Sequence, residues 1–160
     1  MNGVAGRLLS VDLSTGTIRT EEISERVFRL FLGGWGLAAK LAWDRIPKGA
    51  DPLGSENVVT MAPGLLTGTG IPTASKTAFS FRSPLTGTIG RSMAGAWAGV
   101  ALRRAGFDAL VIRGKSAKPA VLVIEDGRPA GLPRGTSGAW TPGPPARPCW
   151  RATGRGRAPR

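Results

Sequence analysis

The segment from Met61 to Asp108 limits the possible folds most strongly, because it alternates short apolar runs with glycine-rich turns. Two near-copies of one phrase, Leu66-Thr67-Gly68-Thr69 and Leu85-Thr86-Gly87-Thr88, lie 19 residues apart and bracket the run from Thr77 to Arg82. Glycine in each copy permits a positive φ, and the threonines offer hydroxyl groups for hydrogen bonds. Two interpretations stay open: the phrases are the turns of a hairpin or meander, or they form a binding surface.

A run of small residues, Gly90 to Gly99, follows the second phrase and merges into a helical pattern from Ala96 to Arg104. Small side chains at the start of a helix allow a flat or anionic ligand to lie against backbone amides. The same residues would also allow the helix to pack closely on a sheet. The sequence does not decide between these two interpretations.

The remaining patterns predict an α+β fold with mixed or antiparallel sheets and a few packed helices. Alternating residues predict strands at Arg7–Leu13, Thr17–Ile23, Val58–Ala62, Thr77–Phe81, Ala109–Arg113 and Ala120–Glu125. Helical spacing predicts a short helix that Ser24 caps, followed by Leu37–Arg45 and Ala96–Arg104. We expect the first two strands to form one hairpin, the last two another, and the helices to pack on one side of the sheet.

Two glycine motifs match nucleotide-binding patterns but lack the required context. The motif Gly34-Trp35-Gly36-Leu37-Ala38-Ala39 fits GxGxxA, yet a predicted helix precedes it where a dinucleotide site needs a strand. The stretch from Ala109 to Ser116 fits a relaxed phosphate-loop pattern, but its variable positions are apolar and favour a buried strand. We therefore reject both nucleotide sites and expect Lys115 to be solvated.

The composition excludes several kinds of metal and catalytic site. The chain of 160 residues has one cysteine, Cys149, and no histidine. By itself it cannot form a disulfide, a cysteine cluster or a histidine zinc site. No apolar run reaches the roughly 20 residues that a membrane helix requires, and no signal-peptide pattern opens the chain. We expect a cytoplasmic protein that does not bind a membrane.

Charge divides the chain into two parts, which predict a domain at 1–127 and a tail at 128–160. The net charge is +12, and the tail contributes seven arginines with no lysine and no acidic residue. It is also rich in proline and glycine, so it cannot build a core and is predicted to be disordered. Three interpretations fit this composition: an arginine-rich nucleic-acid arm, a solvated linker and a frameshift product after about residue 131. The frameshift fits best, because arginine without lysine is typical of GC-rich DNA in a wrong frame.

The order of motifs resembles the N-terminal domain of the tungsten-pterin aldehyde:ferredoxin oxidoreductase family. The resemblance starts with GRLLSVDLSTGTI, continues through FLGGWGLAAKLAWDRIPKGADPLGSENVV and the two LTGT phrases, and covers roughly residues 6–127. It implies oxidation of aldehydes to carboxylic acids at tungsten, or molybdenum, held by two pterins, with electrons passing through a 4Fe-4S cluster to ferredoxin. The cluster ligands and catalytic residues of that family lie in later domains. The chain thus resembles a truncated pterin-binding portion with no catalytic residue, inactive alone.

The resemblance also implies which residues contact the pterin. Lys76 lies where the family often has an arginine that contacts a pterin phosphate. A second set, in a turn, consists of Met93, Ala94, Gly95 and Ala96. In aldehyde-oxidising members the position of Met93 is commonly an asparagine that helps bind magnesium. A thioether is a poor ligand for such a hard cation, so this contact is not expected here.

Further partners follow from the same resemblance. The GxGxxA motif is itself predicted to be a tight helix-to-helix turn, and the resemblance implies that this turn lies near the pterin. It also implies that the full-length enzyme binds ferredoxin and a homodimer mate. It assigns no metal ligand to this chain. The alternative function is a non-catalytic basic protein, structural or nucleic-acid-binding, that uses the arginine-rich tail.

Overall fold

The computed structural model describes residues 3–95, 97–118, 120–125 and 127–130. These residues form a six-stranded mixed sheet, a separate two-stranded sheet and three α-helices. In chain order the elements are β1 (Arg7–Asp12), β2 (Thr17–Glu22), α1 (Glu25–Phe31), α2 (Trp35–Arg45), β3 (Val58–Pro63), β4 (Thr77–Arg82), β5 (Ile89–Ala94), α3 (Trp97–Arg104), β6 (Ala109–Arg113), β7 (Val123–Glu125) and β8 (Arg128–Ala130). The predicted α+β class with mixed sheets is confirmed.

The large sheet has the strand order β2-β1-β6-β3-β4-β5. β1 and β2 form the predicted antiparallel hairpin, with Leu9 opposite Thr20. β1 also pairs in parallel with β6, where Leu8 lies opposite Ala109. The remaining pairs of this sheet are antiparallel. The sheet is mixed because its first strand, β1, pairs in parallel with its last strand, β6.

Helices cover both faces of the sheet, which corrects the expectation that they pack on one side. α1 and α2 cover the face whose buried residues include Leu8, Ala78 and Val111. α3 covers part of the opposite face, where its Leu102 packs with Leu9. The physical reason is that the central strands carry apolar residues at successive positions, so both of their faces need cover. Within the described residues, no helix has the length and apolar character needed to cross a membrane.

β5 corrects the expected course of the Gly90–Gly99 run, whose first half is a strand. β5 pairs with β4 along its whole length, and the second LTGT phrase forms the turn between them. This turn is closed by a hydrogen bond from N of Ser83 to O of Thr88 at 2.8 Å. Glycine at position 90 makes room for the ring of Phe81, because a Cβ there would lie 2.7 Å from Cε2 of that ring. The hairpin interpretation of this phrase is therefore confirmed.

The predicted hairpin between Ala109–Arg113 and Ala120–Glu125 is wrong. β6 lies inside the large sheet between β1 and β3, whereas β7 pairs with β8 in the small sheet. β6 is apolar on both faces, and this suits a central strand better than one arm of a surface hairpin. β8 occupies the first three residues of the segment that the sequence assigns to a tail. The expectations for residues 131–160 lie outside the described part of the chain.

Candidate functional site

The exposed edge of the α2 side of the sheet carries most of the predicted site residues. In the β4–β5 ladder, Ala78 is opposite Met93, and Ala78 is buried in the core beneath α2. Cross-strand partners share a face, and residues two apart in a strand do too. Met93 and Arg91 therefore lie on the α2 side. We call Lys76, Arg91, Met93 and Gly95 together the edge strip.

Lys76 and Gly95 lie next to each other at the end of the β4–β5 ladder. A Cβ built on Gly95 would lie 4.0 Å from Nζ of Lys76 and 3.9 Å from Oγ of Ser75. These are ordinary contact distances, and Gly95 does not have a positive φ. No contact among the described residues therefore requires glycine at this position. An open backbone beside a lysine ammonium is suited to an anionic group.

The first LTGT phrase holds the backbone of Lys76 in place. The carbonyl oxygen of Lys76 accepts hydrogen bonds from N of Gly64 at 3.0 Å and from Oγ1 of Thr67 at 3.2 Å. Thr67 is buried, while the side chain of Lys76 is exposed. The loop thus fixes the backbone of Lys76 and leaves its ammonium group accessible to a ligand.

A buried ion pair holds the same loop from the other side of the sheet. Arg103 on α3 pairs with Asp108, and their side chains are 11% and 2% exposed. The guanidinium also donates to O of Leu65 at 2.7 Å and to O of Gly3 at 3.0 Å. Asp108 accepts a hydrogen bond from N of Gly6 at 2.6 Å. The pair therefore joins the start of the chain, α3 and the loop that precedes Lys76.

The GxGxxA motif lies at the same end of the sheet as Lys76. N of Gly34 donates to O of Pro63 at 2.9 Å, so the motif packs on the end of β3. Glycine at position 36 is required because a Cβ there would lie 2.3 Å from O of Phe31. α1 precedes the motif and α2 follows it, so the predicted helix-to-helix turn is confirmed. This turn places Trp35 beside β5.

Arg91 is a site residue that the sequence analysis did not single out. Its Cζ lies 5.5 Å from the centroid of the Trp35 ring, and its Nη2 donates to Sδ of Met93 at 2.9 Å. No carboxylate among the described residues pairs with it. Its guanidinium therefore contacts two uncharged groups. The alternation of Arg91, Met93 and Gly95 was the available signal, once β5 is recognised as a strand.

The structure separates the five residues that the resemblance associates with a pterin. Lys76, Met93 and Gly95 share the edge strip. Ala94 lies on the opposite face, because neighbours in a strand alternate, and Ala96 lies outside the described residues. The predicted turn is corrected, since Met93 and Ala94 belong to β5.

The phosphate-loop pattern proves to be a buried strand followed by a turn. Leu110 and Val111 are buried in β6, as the sequence predicts. N of Lys115 donates to Oγ of Ser14 at 3.0 Å, and the lysine side chain is exposed. In the part of the chain that the structure describes, no group of three or more His, Cys, Asp or Glu side chains could hold a metal ion.

Comparison with known proteins gives a consistent family. The sequence pattern described as "Aldehyde ferredoxin oxidoreductase, N-terminal domain" matches residues 8–132. Tungsten-containing aldehyde ferredoxin oxidoreductases from Thermococcus kodakarensis and Pyrococcus furiosus are 42% and 41% identical over 126 residues. Each alignment covers 79% of this chain and 21% of the relative. The chain thus spans about a fifth of the length of these curated relatives.

Other similar proteins carry different names. A Pyrococcus furiosus protein described as an aliphatic sulfonate oxidoreductase, WOR-like subunit, is 35% identical over 124 residues, which is 76% of this chain and 20% of that protein. Among solved structures, the active site complex BamBC of benzoyl coenzyme A reductase with 1,5-dienoyl-CoA matches with a TM-score of 0.78 and 35% identity, over 81% of this chain and 20% of that one. The chain therefore belongs to the aldehyde ferredoxin oxidoreductase family and corresponds to part of its N-terminal domain.

Proposed function

We propose that this chain is the N-terminal, tungstopterin-binding portion of an aldehyde:ferredoxin oxidoreductase, and that the edge strip binds a phosphate group of the pterin. The juxtaposition of Lys76 and Gly95 carries the proposal. The ammonium group supplies a charge for the phosphate, and the open backbone at Gly95 lets a ligand approach closely. Membership of the family and the tungsten-containing relatives support this class of cofactor.

The described residues fit the phosphate end of such a cofactor but not a magnesium ion. Lys76 offers a cation and Gly95 offers space. Met93 does not offer a ligand for a hard cation, because its Sδ is a thioether that already accepts a hydrogen bond from Arg91. The magnesium contact is therefore not part of the proposal.

This chain would bind and orient the cofactor, while other segments would complete the enzyme. The bound tungsten-pterin would supply the two-electron chemistry that converts an aldehyde to a carboxylate. The chain has one cysteine and no histidine, so the ligands of a 4Fe-4S cluster must come from elsewhere. Ferredoxin and a homodimer mate are proposed as partners of the full-length enzyme. Alone, the chain is expected to be inactive, and a cytoplasmic location is part of the proposal.

The choice of aldehydes as the substrate class rests on the relatives. The two tungsten-containing aldehyde enzymes are 42% and 41% identical to this chain, whereas the sulfonate oxidoreductase is 35% identical. The residues that contact a substrate are not assigned to this chain. The substrate class is therefore proposed from the relatives alone.

A chimera tests the proposal. Residues 1–130 of this chain would replace the matching segment of the Thermococcus kodakarensis relative, and tungsten and pterin would be measured in the purified protein. Lys76→Ala is expected to lower cofactor retention roughly ten-fold, because it removes a charge-assisted hydrogen bond. Gly95→Val is expected to lower it further, because a Cβ there meets protein atoms only at contact distance and the branched side chain would occupy the space proposed for the ligand.

Lys115→Ala is the matched control, since that lysine is exposed in a turn remote from the edge strip. It is expected to retain wild-type amounts of tungsten and pterin. The proposal fails if Lys115→Ala loses as much cofactor as Lys76→Ala, or if Gly95→Val retains it fully. Oxidation of a short aldehyde by the loaded chimera tests the substrate class separately.

A further inference from the structure

We propose that Arg91, stacked on Trp35, forms a second phosphate-binding position on the edge strip, and that this position needs no metal ion. The inference rests on the proposed function, since it concerns the same ligand surface. It adds a residue that neither the sequence motifs nor the family resemblance indicates.

The guanidinium of Arg91 contacts two uncharged side chains. Trp35 lies under it, with 5.5 Å between Cζ and the ring centroid, and Met93 accepts one of its N–H groups at 2.9 Å. An aromatic face and a thioether contact a guanidinium without pairing it with a negative charge. Arginine has five N–H donors in total, so most of them stay available to a ligand. Arg91 is thus an uncompensated cation.

Arg91 and Lys76 lie at different points of the edge strip. Arg91 and Gly95 are four residues apart along an extended chain, which corresponds to about 13 Å between their Cα atoms. The guanidinium contacts Met93, which lies between Arg91 and Gly95 along the chain, and Gly95 lies beside the ammonium of Lys76. Two exposed cations therefore lie on one face of the sheet. Arg91 is therefore a position distinct from Lys76 on that face, and each side chain can take one phosphate group.

The guanidinium of Arg91 can bind a phosphate group without a metal ion. A planar guanidinium binds two phosphate oxygens at once, in a geometry that an ammonium cannot match. Met93 is a poor ligand for a hard metal ion. In the described residues, no carboxylate faces Arg91 that could hold such an ion beside it. The phosphate is therefore neutralised by the side chain itself.

The experiment titrates the purified 160-residue chain with inorganic pyrophosphate, in EDTA and at low ionic strength, and measures the heat of binding. Arg91→Met keeps an unbranched apolar stem beside Trp35 and is expected to raise the dissociation constant about ten-fold. Arg91→Lys is expected to recover only part of the loss, because it restores charge without the fork. Arg104→Met is the matched control, since Arg104 is exposed on α3, and it is expected to change the constant less than two-fold.

The tryptophan fluorescence of the chain gives a second readout. Binding at Arg91 should perturb Trp35, so the change on titration is expected in the wild type and not in Trp35→Phe. The inference is overturned if Arg91→Met binds like the wild type, if Arg104→Met loses as much affinity, or if the wild type binds only when Mg²⁺ replaces EDTA. Loss in Lys76→Ala with no loss in Arg91→Met would overturn this inference and support the proposed function. Wild-type binding in both variants would count against the two together.

Discussion

Replacing Arg103 by methionine would measure how much the buried ion pair contributes to stability. The substitution removes the pairing with Asp108 and the hydrogen bonds to O of Leu65 and O of Gly3, at 2.7 and 3.0 Å. Asp108 keeps its bond from N of Gly6 but remains a charge at 2% exposure. Removing one partner of a buried pair costs about 3 to 5 kcal/mol. Such a loss is a large part of the roughly 5 to 15 kcal/mol that holds a small domain folded.

Urea unfolding at pH 7, followed by circular dichroism, measures the change in the free energy of unfolding. Arg104→Met is the matched control, because Arg104 is the next residue of α3 and is exposed. Surface substitutions of this kind usually change stability by less than about 0.5 kcal/mol. Adding Asp108→Asn to Arg103→Met should recover part of the loss, because it removes the uncompensated charge. The reasoning is refuted if Arg103→Met costs no more than the control, or if the added substitution lowers stability further.

Two further predictions concern the sheet. Hydrogen bonds from the backbone amides of Thr15 and Ser14, together with the guanidinium of Arg113, lower the pKa of Asp12 below its usual 3.8. The stabilising effect of the Asp12 carboxylate is therefore present above pH 3.8 and is lost as the pH falls through the folded pKa. The difference in unfolding free energy between wild type and Asp12→Asn should therefore shrink in strong acid. A difference that stays constant with pH would contradict this. A Cβ at Gly99 would lie 2.0 Å from Oγ1 of Thr77, a buried atom without a hydrogen-bond partner in the described structure. Gly99→Ala should lower the free energy of unfolding, measured by thermal unfolding, by about 1 to 3 kcal/mol. Adding Thr77→Ala to this variant should restore most of the lost stability. No recovery in the double variant would argue against this contact.

Local patterns predicted most of the elements, because each strand or helix carries its own periodicity. The β1–β2 hairpin follows from two alternating runs around Ser14-Thr15-Gly16, and α2 ends before Pro47 as the sequence indicates. The pairing of β6 did not follow, since a strand that is apolar on both faces does not specify its neighbours. β5 was missed for another reason. Gly90 lies against the ring of Phe81, and the sequence does not show which neighbour makes a small residue favourable there.

The candidate site divides in the same way. Lys76 and Gly95 could be named from the order of motifs, and the structure brings them together. Arg91 could not be named from the order of motifs, because its candidate role depends on a contact with Trp35, which lies on a different element. Arg103 was missed for the same reason, since its backbone partners come from distant parts of the chain. Sequence patterns record local geometry, whereas these residues act through tertiary contacts.

The parallel pairing of β1 with β6 determines when the domain can fold during synthesis. β1 ends at Asp12 and β6 begins at Ala109, so the centre of the sheet cannot close until almost all of the described chain has left the ribosome. Until then, the β1–β2 hairpin and the β3–β5 meander are separate pieces with unpaired inner edges. Unpaired strand edges promote aggregation, and pairings between distant residues slow folding. A nascent chain that stops before Arg113 is therefore two aggregation-prone pieces of sheet.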